Sequence, residues 1–241
     1  ASATRLGLNL VAYALGYFRV GQSHARAQVY RPDDAAEAHG PVVFAQVRTR
    51  GVWNTEPGAA QNLLRFMDRN LSVKTNYRVR TVGLGSDRLA DFSFLYLSGI
   101  GDFQLDDAER GALRAYLEGG GYLIVDNSLG LSEFGKAVYR EIGILYPDGE
   151  FRKLAPDHPL FMEGPFALEQ VDFTLATQAK YPGLASPVIE AVRIGGEERI
   201  FYSPFDMAAG WQGDDHPLAH GYAPGDALLL GTNLIAYCLT H

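Results

Sequence analysis

The chain has 241 residues, 47% of them hydrophobic, enough for one large α/β domain with a real core, and this excludes disorder over most of its length. A formal net charge of -7, with basic residues scattered along the chain, gives no electrostatic footprint for a phosphate backbone, so nucleic acid is excluded as a partner. The single cysteine, Cys238, excludes an internal disulfide and a zinc site built on several thiolates.

Near the start, Leu6-Gly7-Leu8-Asn9-Leu10-Val11-Ala12-Tyr13 repeats, in register, the Leu, Gly, Asn, Leu, Ala and Tyr of Leu230-Gly231-Thr232-Asn233-Leu234-Ile235-Ala236-Tyr237. Arg5, the apolar run to Phe18 and Ala25-Arg26-Ala27 also imitate a secretory signal, but Asn9, Tyr13, Gly16 and Tyr17 interrupt the apolar stretch. The repeat favours a helix of the same kind as the last one, the tail of a preceding similar domain. Residues 1–40 are accordingly read as an N-terminal helix and a polar linker, and residues 41–241 as the domain proper.

That domain opens with PVVFAQVRT, a β-branched run of strand length, followed by the loop GVWNTEPG and a helical pattern in which Leu63, Leu64, Phe66 and Met67 share one face. VKTNYRVRTV alternates as a second strand, and FSFLYLSG is apolar throughout, as a strand covered on both faces must be. DDAERGALRAYLEGGG carries Asp106 at an N-cap or first-turn position, apolar residues at helical spacing and a glycine stop. YLIVDN follows as the next strand. Short links between alternating strands and helices predict right-handed crossovers and a mostly parallel sheet with helices on both faces. The alternation fails after Gly149, where the stretch to Pro187 reads as an irregular insertion; PVIEAVRIGGEERIFYSP then reads as a hairpin turning at Gly195-Gly196, and a helix over 226–239 closes the domain.

The segment LYLSGIGDFQLDDAERGALRAYLEGGGYLIVDNSLG resembles the central portion of class I glutamine amidotransferase-like domains: strand, acidic-started helix, glycine turn, buried strand, sharp elbow. FLYLSGIGDFQL, DHPLF, YSPFDMAAGW and LGTNLIAYCLTH, taken in order, are similar to an uncharacterised bacterial family within that superfamily, over roughly residues 41–241. The resemblance implies a three-layer flavodoxin-like sheet, association with exported or membrane-tethered bacterial proteins, and no established activity.

Active amidotransferases of this fold carry a cysteine at the turn after the strand that here reads YLIVDN, because a thiolate must attack the amide carbon. This chain has Asp126-Asn127-Ser128-Leu129-Gly130 instead, and Cys238 lies in the last helix on a face shared with Leu234, as a small buried apolar residue does. Ser128 has two readings: a nucleophile at a strand-to-helix elbow, needing His158, His216 or His220 as base and Asp157, Asp206, Asp214 or Asp215 behind it, or the cap of a helix starting near Leu131. The cap is the reading its neighbours favour.

Asp214, Asp215, His216 and His220 are metal-ligand types, but Pro217 and Gly221 put them on a loop without helical ligand spacing, so no metal is expected, and no other cofactor. His158, between Pro156 and Pro159, either lines the cleft or bonds backbone in a turn. Trp53, Asp102, Asn127, Ser128, Asp206 and Trp211 follow strands and fall at the carboxyl edge of a parallel sheet, where open α/β sheets bind ligands. The two tryptophans suit a sugar as well as they suit packing. The resulting expectation is a non-catalytic module of an envelope-associated bacterial protein, binding a neighbouring domain, another copy of the chain or a small polar ligand. A serine hydrolase built on Ser128 and a carbohydrate-binding module are the alternatives.

Overall fold

The computed structural model describes residues 42–71, 75–213 and 218–241. The expected N-terminal helix and linker therefore lie outside the described residues, as do Asp214, Asp215 and His216. In chain order the elements are β1 (Val42–Val47), α1 (Ala59–Leu71), β2 (Thr75–Val82), β3 (Phe94–Gly99), α2 (Asp107–Glu118), β4 (Tyr122–Asn127), α3 (Ser132–Leu145), β5 (Arg152–Lys153), α4 (Pro159–Met162), α5 (Leu175–Lys180), β6 (Glu190–Ile194), β7 (Glu197–Ser203), α6 (Ala208–Gln212) and α7 (Pro224–Thr240).

The strands form one seven-stranded sheet in the order β2-β1-β3-β4-β7-β6-β5. β2, β1, β3, β4 and β7 run parallel, and β6 and β5 extend the sheet antiparallel. From β1 the chain steps outward to β2, then crosses back past β1 to β3. The winding thus reverses between β1 and β3, the kind of point at which open α/β sheets bind ligands.

Period-two alternation explains why β3 and β4 read as unbroken apolar runs. Phe94, Tyr96, Tyr122 and Ile124 join one buried cluster with Leu63 and Leu64 of α1 and Leu230 and Leu234 of α7. Leu95, Leu97, Leu123 and Val125 join another with Leu113 and Leu117 of α2 and Phe134 and Val138 of α3. Each strand therefore buries both rows of side chains, and a polar residue in either row sits inside the protein.

α2 begins where the sequence places it. The Asp106 carboxylate accepts the Glu109 N–H at 2.9 Å while Glu109 accepts the Asp106 N–H at 2.8 Å, a reciprocal box that satisfies two amides at the helix start. The hairpin also turns where expected: Gly195 and Gly196 have φ of 64° and 95°, backbone that a two-residue connection between twisted strands requires. The stretch from 150 to 187 is more ordered than its sequence suggests. It contains β5, α4 and α5, elements of two to six residues, too short to show a period.

Candidate functional site

At the carboxyl ends of the parallel strands, the loop after β1, the end of β4 and the loop after β7 converge. Asp126, in the row of β4 that faces Tyr96, has no exposed surface. Its Oδ2 accepts the Tyr96 hydroxyl at 2.7 Å and the Ala208 N–H at 3.0 Å, and its Oδ1 accepts the Met207 N–H at 3.0 Å. Asp206, equally buried, accepts the Leu129 N–H on Oδ2 at 2.7 Å and the Ala209 N–H on Oδ1 at 2.9 Å. All four carboxylate oxygens are thus spent on protein donors. Burial, then the neighbouring Asp206 carboxylate, with Glu56 adding to it, holds Asp126 well above the usual carboxylate range, against the opposing pull of its hydrogen bonds. Tyr96 is raised as well, by burial and then by the Asp126 carboxylate to which it donates.

Ser128 has no exposed surface. Its Oγ lies 2.9 Å from the Thr55 hydroxyl and 3.4 Å from Glu56 Oε2, and the single Thr55 proton is shared between Ser128 and the adjacent Glu56 carboxylate. The helix-cap reading of Ser128 is corrected here. α3 starts at Ser132 behind Leu131, which makes no side-chain cap, because a 3₁₀ turn over Ser128–Gly130 moves the helix start beyond the reach of Ser128. Within that turn Leu129, at φ 60° and ψ -2°, is the one non-glycine residue at positive φ among the described residues. Its N–H is held by Asp206 and its carbonyl by the His220 N–H at 3.0 Å. Left-handed backbone costs an L-residue about 1–2 kcal/mol. Leu129→Gly is therefore expected to leave stability near the wild-type value, strain relief offsetting the lost half-buried side chain, whereas Leu129→Val should lose about 1–2 kcal/mol in urea titrations.

The other sequence candidates distribute unevenly. Asn127, 3% exposed, donates through Nδ2 to the Leu131 carbonyl at 3.0 Å and the Tyr202 hydroxyl at 3.2 Å, and joins the elbow. The Trp53 carbonyl accepts the Ser98 hydroxyl at 3.0 Å, which fixes the loop after β1 while the indole stays partly exposed. Asp102 is exposed and paired with Arg140 at 2.8 Å. Trp211 lies in the core: its ring packs on Phe44 and Tyr96, its Nε1–H donates to the Ala227 carbonyl at 2.7 Å, and a Cβ on Gly231 would come within 2.7 Å of the indole. No ligand fits against that face.

No imidazole among the described residues bonds Ser128. His158 accepts the Leu160 N–H on Nδ1 at 3.1 Å, as the turn reading expects, and its ring lies against Tyr237, which contacts Tyr122 at the amino end of β4. It is at the opposite edge of the sheet from the elbow. His220 lends the elbow its backbone, but its ring turns toward Tyr181. Burial lowers the pKa of both histidines. Cys238 is buried, and burial pushes its thiol far up, so it holds no thiolate.

Thr55, Glu56, Tyr96 and Asp126 are the site residues that sequence reasoning missed. A signal existed for Asp126, a carboxylate placed in the buried strand YLIVDN, where it demands partners. Among the described residues no group of three or more His, Cys, Asp or Glu is placed to hold a metal ion, and no helix is long and apolar enough to cross a membrane.

No curated protein matches the chain. A family model does, over residues 43–239, most of the length, and the chain belongs to that family, described as Domain of unknown function (DUF4159).

Proposed function

We propose that the chain is a non-catalytic module of a class I glutamine amidotransferase-like, three-layer flavodoxin-like fold, which recognises a partner domain or a small polar ligand at the carboxyl edge of its sheet, within an envelope-associated bacterial protein. The spatial order β2-β1-β3-β4-β7 of the parallel strands supports the fold reading, since it is the flavodoxin-like winding once β7 is counted as the fifth strand.

One observation carries the non-catalytic reading. At a nucleophile elbow, the N–H of the residue after the nucleophile stabilises the oxyanion. Here that N–H, on Leu129, is already bonded to the Asp206 carboxylate at 2.7 Å, and Ser128 beside it has no exposed surface. A carboxylate oxygen already occupies the donor that an oxyanion would need. A fluorophosphonate probe should therefore leave the wild-type protein unlabelled; labelling that disappears in Ser128→Ala would refute the reading.

The serine-hydrolase alternative keeps one observation in its favour, the 3.4 Å contact of Ser128 with Glu56, a carboxylate in the place of the usual imidazole base. Running the probe at acidic as well as neutral pH covers that case. Carbohydrate recognition now rests on Trp53 alone, and titration with sugars should then change the emission of Trp53 and leave that of Trp211 unchanged.

A further inference from the structure

Away from the elbow, a groove of about 340 Å³ runs between α7 and the segment around α4. This is at the small end of the roughly 300–1,000 Å³ typical of ligand pockets. One wall presents Leu160, Glu163 and Pro165, and the other presents Ala236, Tyr237 and Thr240 from one face of α7, at helical spacing.

Its polar lining is mostly committed. The Asn233 amide donates to the carbonyls of Leu160 at 2.9 Å and Phe166 at 2.7 Å, and its Oδ1 accepts the Phe166 N–H at 3.1 Å. The Thr240 hydroxyl donates to the Ala236 carbonyl at 3.0 Å. Tyr237 is stacked on His241 with centroids 4.2 Å apart. Glu163 is different: it is exposed and, among the described residues, takes part in no ion pair. Among the described residues no lysine or arginine lines the groove, and the one basic side chain there, His241, is stacked on Tyr237. A largely apolar trough with the unpaired Glu163 carboxylate in its wall matches one kind of guest, an apolar stem carrying a positive head.

We infer that this groove docks an extended segment of a partner protein through an arginine or lysine whose stem lies along Pro165 and Ala236 and whose charge meets Glu163. A peptide is the guest because the groove is open along α7 and not closed around a small molecule. The inference does not depend on the elbow, and a probe of Ser128 leaves it untouched.

The test uses the whole chain and two tripeptides, acetyl-Leu-Arg-Leu-amide and acetyl-Leu-Gln-Leu-amide, with arginine amide as the small-molecule arm. The arginine tripeptide should give saturable amide shifts at Gly164, Ala236 and Thr240 in NMR spectra. Glu163→Gln should weaken it by about three- to fivefold, the range of one exposed ion pair, and leave the glutamine tripeptide unchanged. Ala236→Lys, which supplies a cation in place, should abolish the shifts while the rest of the spectrum stays folded. Absence of saturable shifts at millimolar peptide, equal binding of the two tripeptides, or arginine amide binding as tightly as the arginine tripeptide would each overturn the inference.

Discussion

Replacing Asp206 with alanine is expected to cost the fold about 2–4 kcal/mol. The carboxylate satisfies the Leu129 and Ala209 amides, and alanine leaves both without it. A buried donor stripped of its partner costs about 1–3 kcal/mol, and two are stripped at once. A partial offset arises because Asp206 is the nearest negative neighbour of Asp126, so its removal eases the burden on that carboxylate. Asp206→Asn keeps one acceptor but turns an NH₂ toward the other amide, and should fall roughly midway. Urea denaturation of the three proteins measures the order directly. A loss below about 1 kcal/mol for alanine would mean that water replaces the carboxylate at these amides and that the elbow is not closed by Asp206.

The second large effect is on pH. Asp126 has its folded-state pKa raised well above the usual carboxylate range, by burial first and by Asp206 next. The folded state therefore binds the proton more tightly than the unfolded chain. Its contribution to stability is fully present below the unfolded pKa and is lost as pH rises from there through the raised folded value. The proton belongs to the Asp126–Asp206 pair. His158 and His220, with lowered values, act oppositely: they support the fold above about 6.5, and that support is lost as pH falls through their folded values. The two effects separate in a comparison of wild type with Asp126→Asn, which shares the histidines but cannot take up the proton. The stability advantage of wild type over Asp126→Asn should widen on acidification from pH 7 toward 4. Should it narrow instead, the three hydrogen bonds to the carboxylate outweigh its burial, and the charged form is the native one.

How far the sequence reaches can be judged from particular elements. The Asp106–Glu109 box, the Gly195–Gly196 turn and the apolar runs of β3 and β4 are set by local rules, since caps, turns and burial on both faces each leave a mark within a few residues. The elbow was found from its position after β4, and Asn127, Ser128 and Asp206 do meet there. Its partners were not legible. Thr55 and Glu56 lie 73 and 72 positions from Ser128, and Asp206 lies 77 from Leu129, separations that only the sheet order bridges. Trp211 was misplaced as a candidate for a related reason. It follows a strand, but the turn into α6 carries its indole under α7, and only the absence of a Cβ at Gly231 shows how closely the two are fitted.

The hairpin that ends the parallel run also governs how copies of the chain can meet side by side. β5, the outermost strand beyond it, is two residues long, and both Arg152 and Lys153 are exposed, so this margin offers almost no free backbone and repels a like-charged neighbour. At the opposite margin, β2 runs for eight residues. Among the described strands, growth into fibrils, if heating or truncation provokes it, therefore has a direction built in: it begins at β2 and stops at β5.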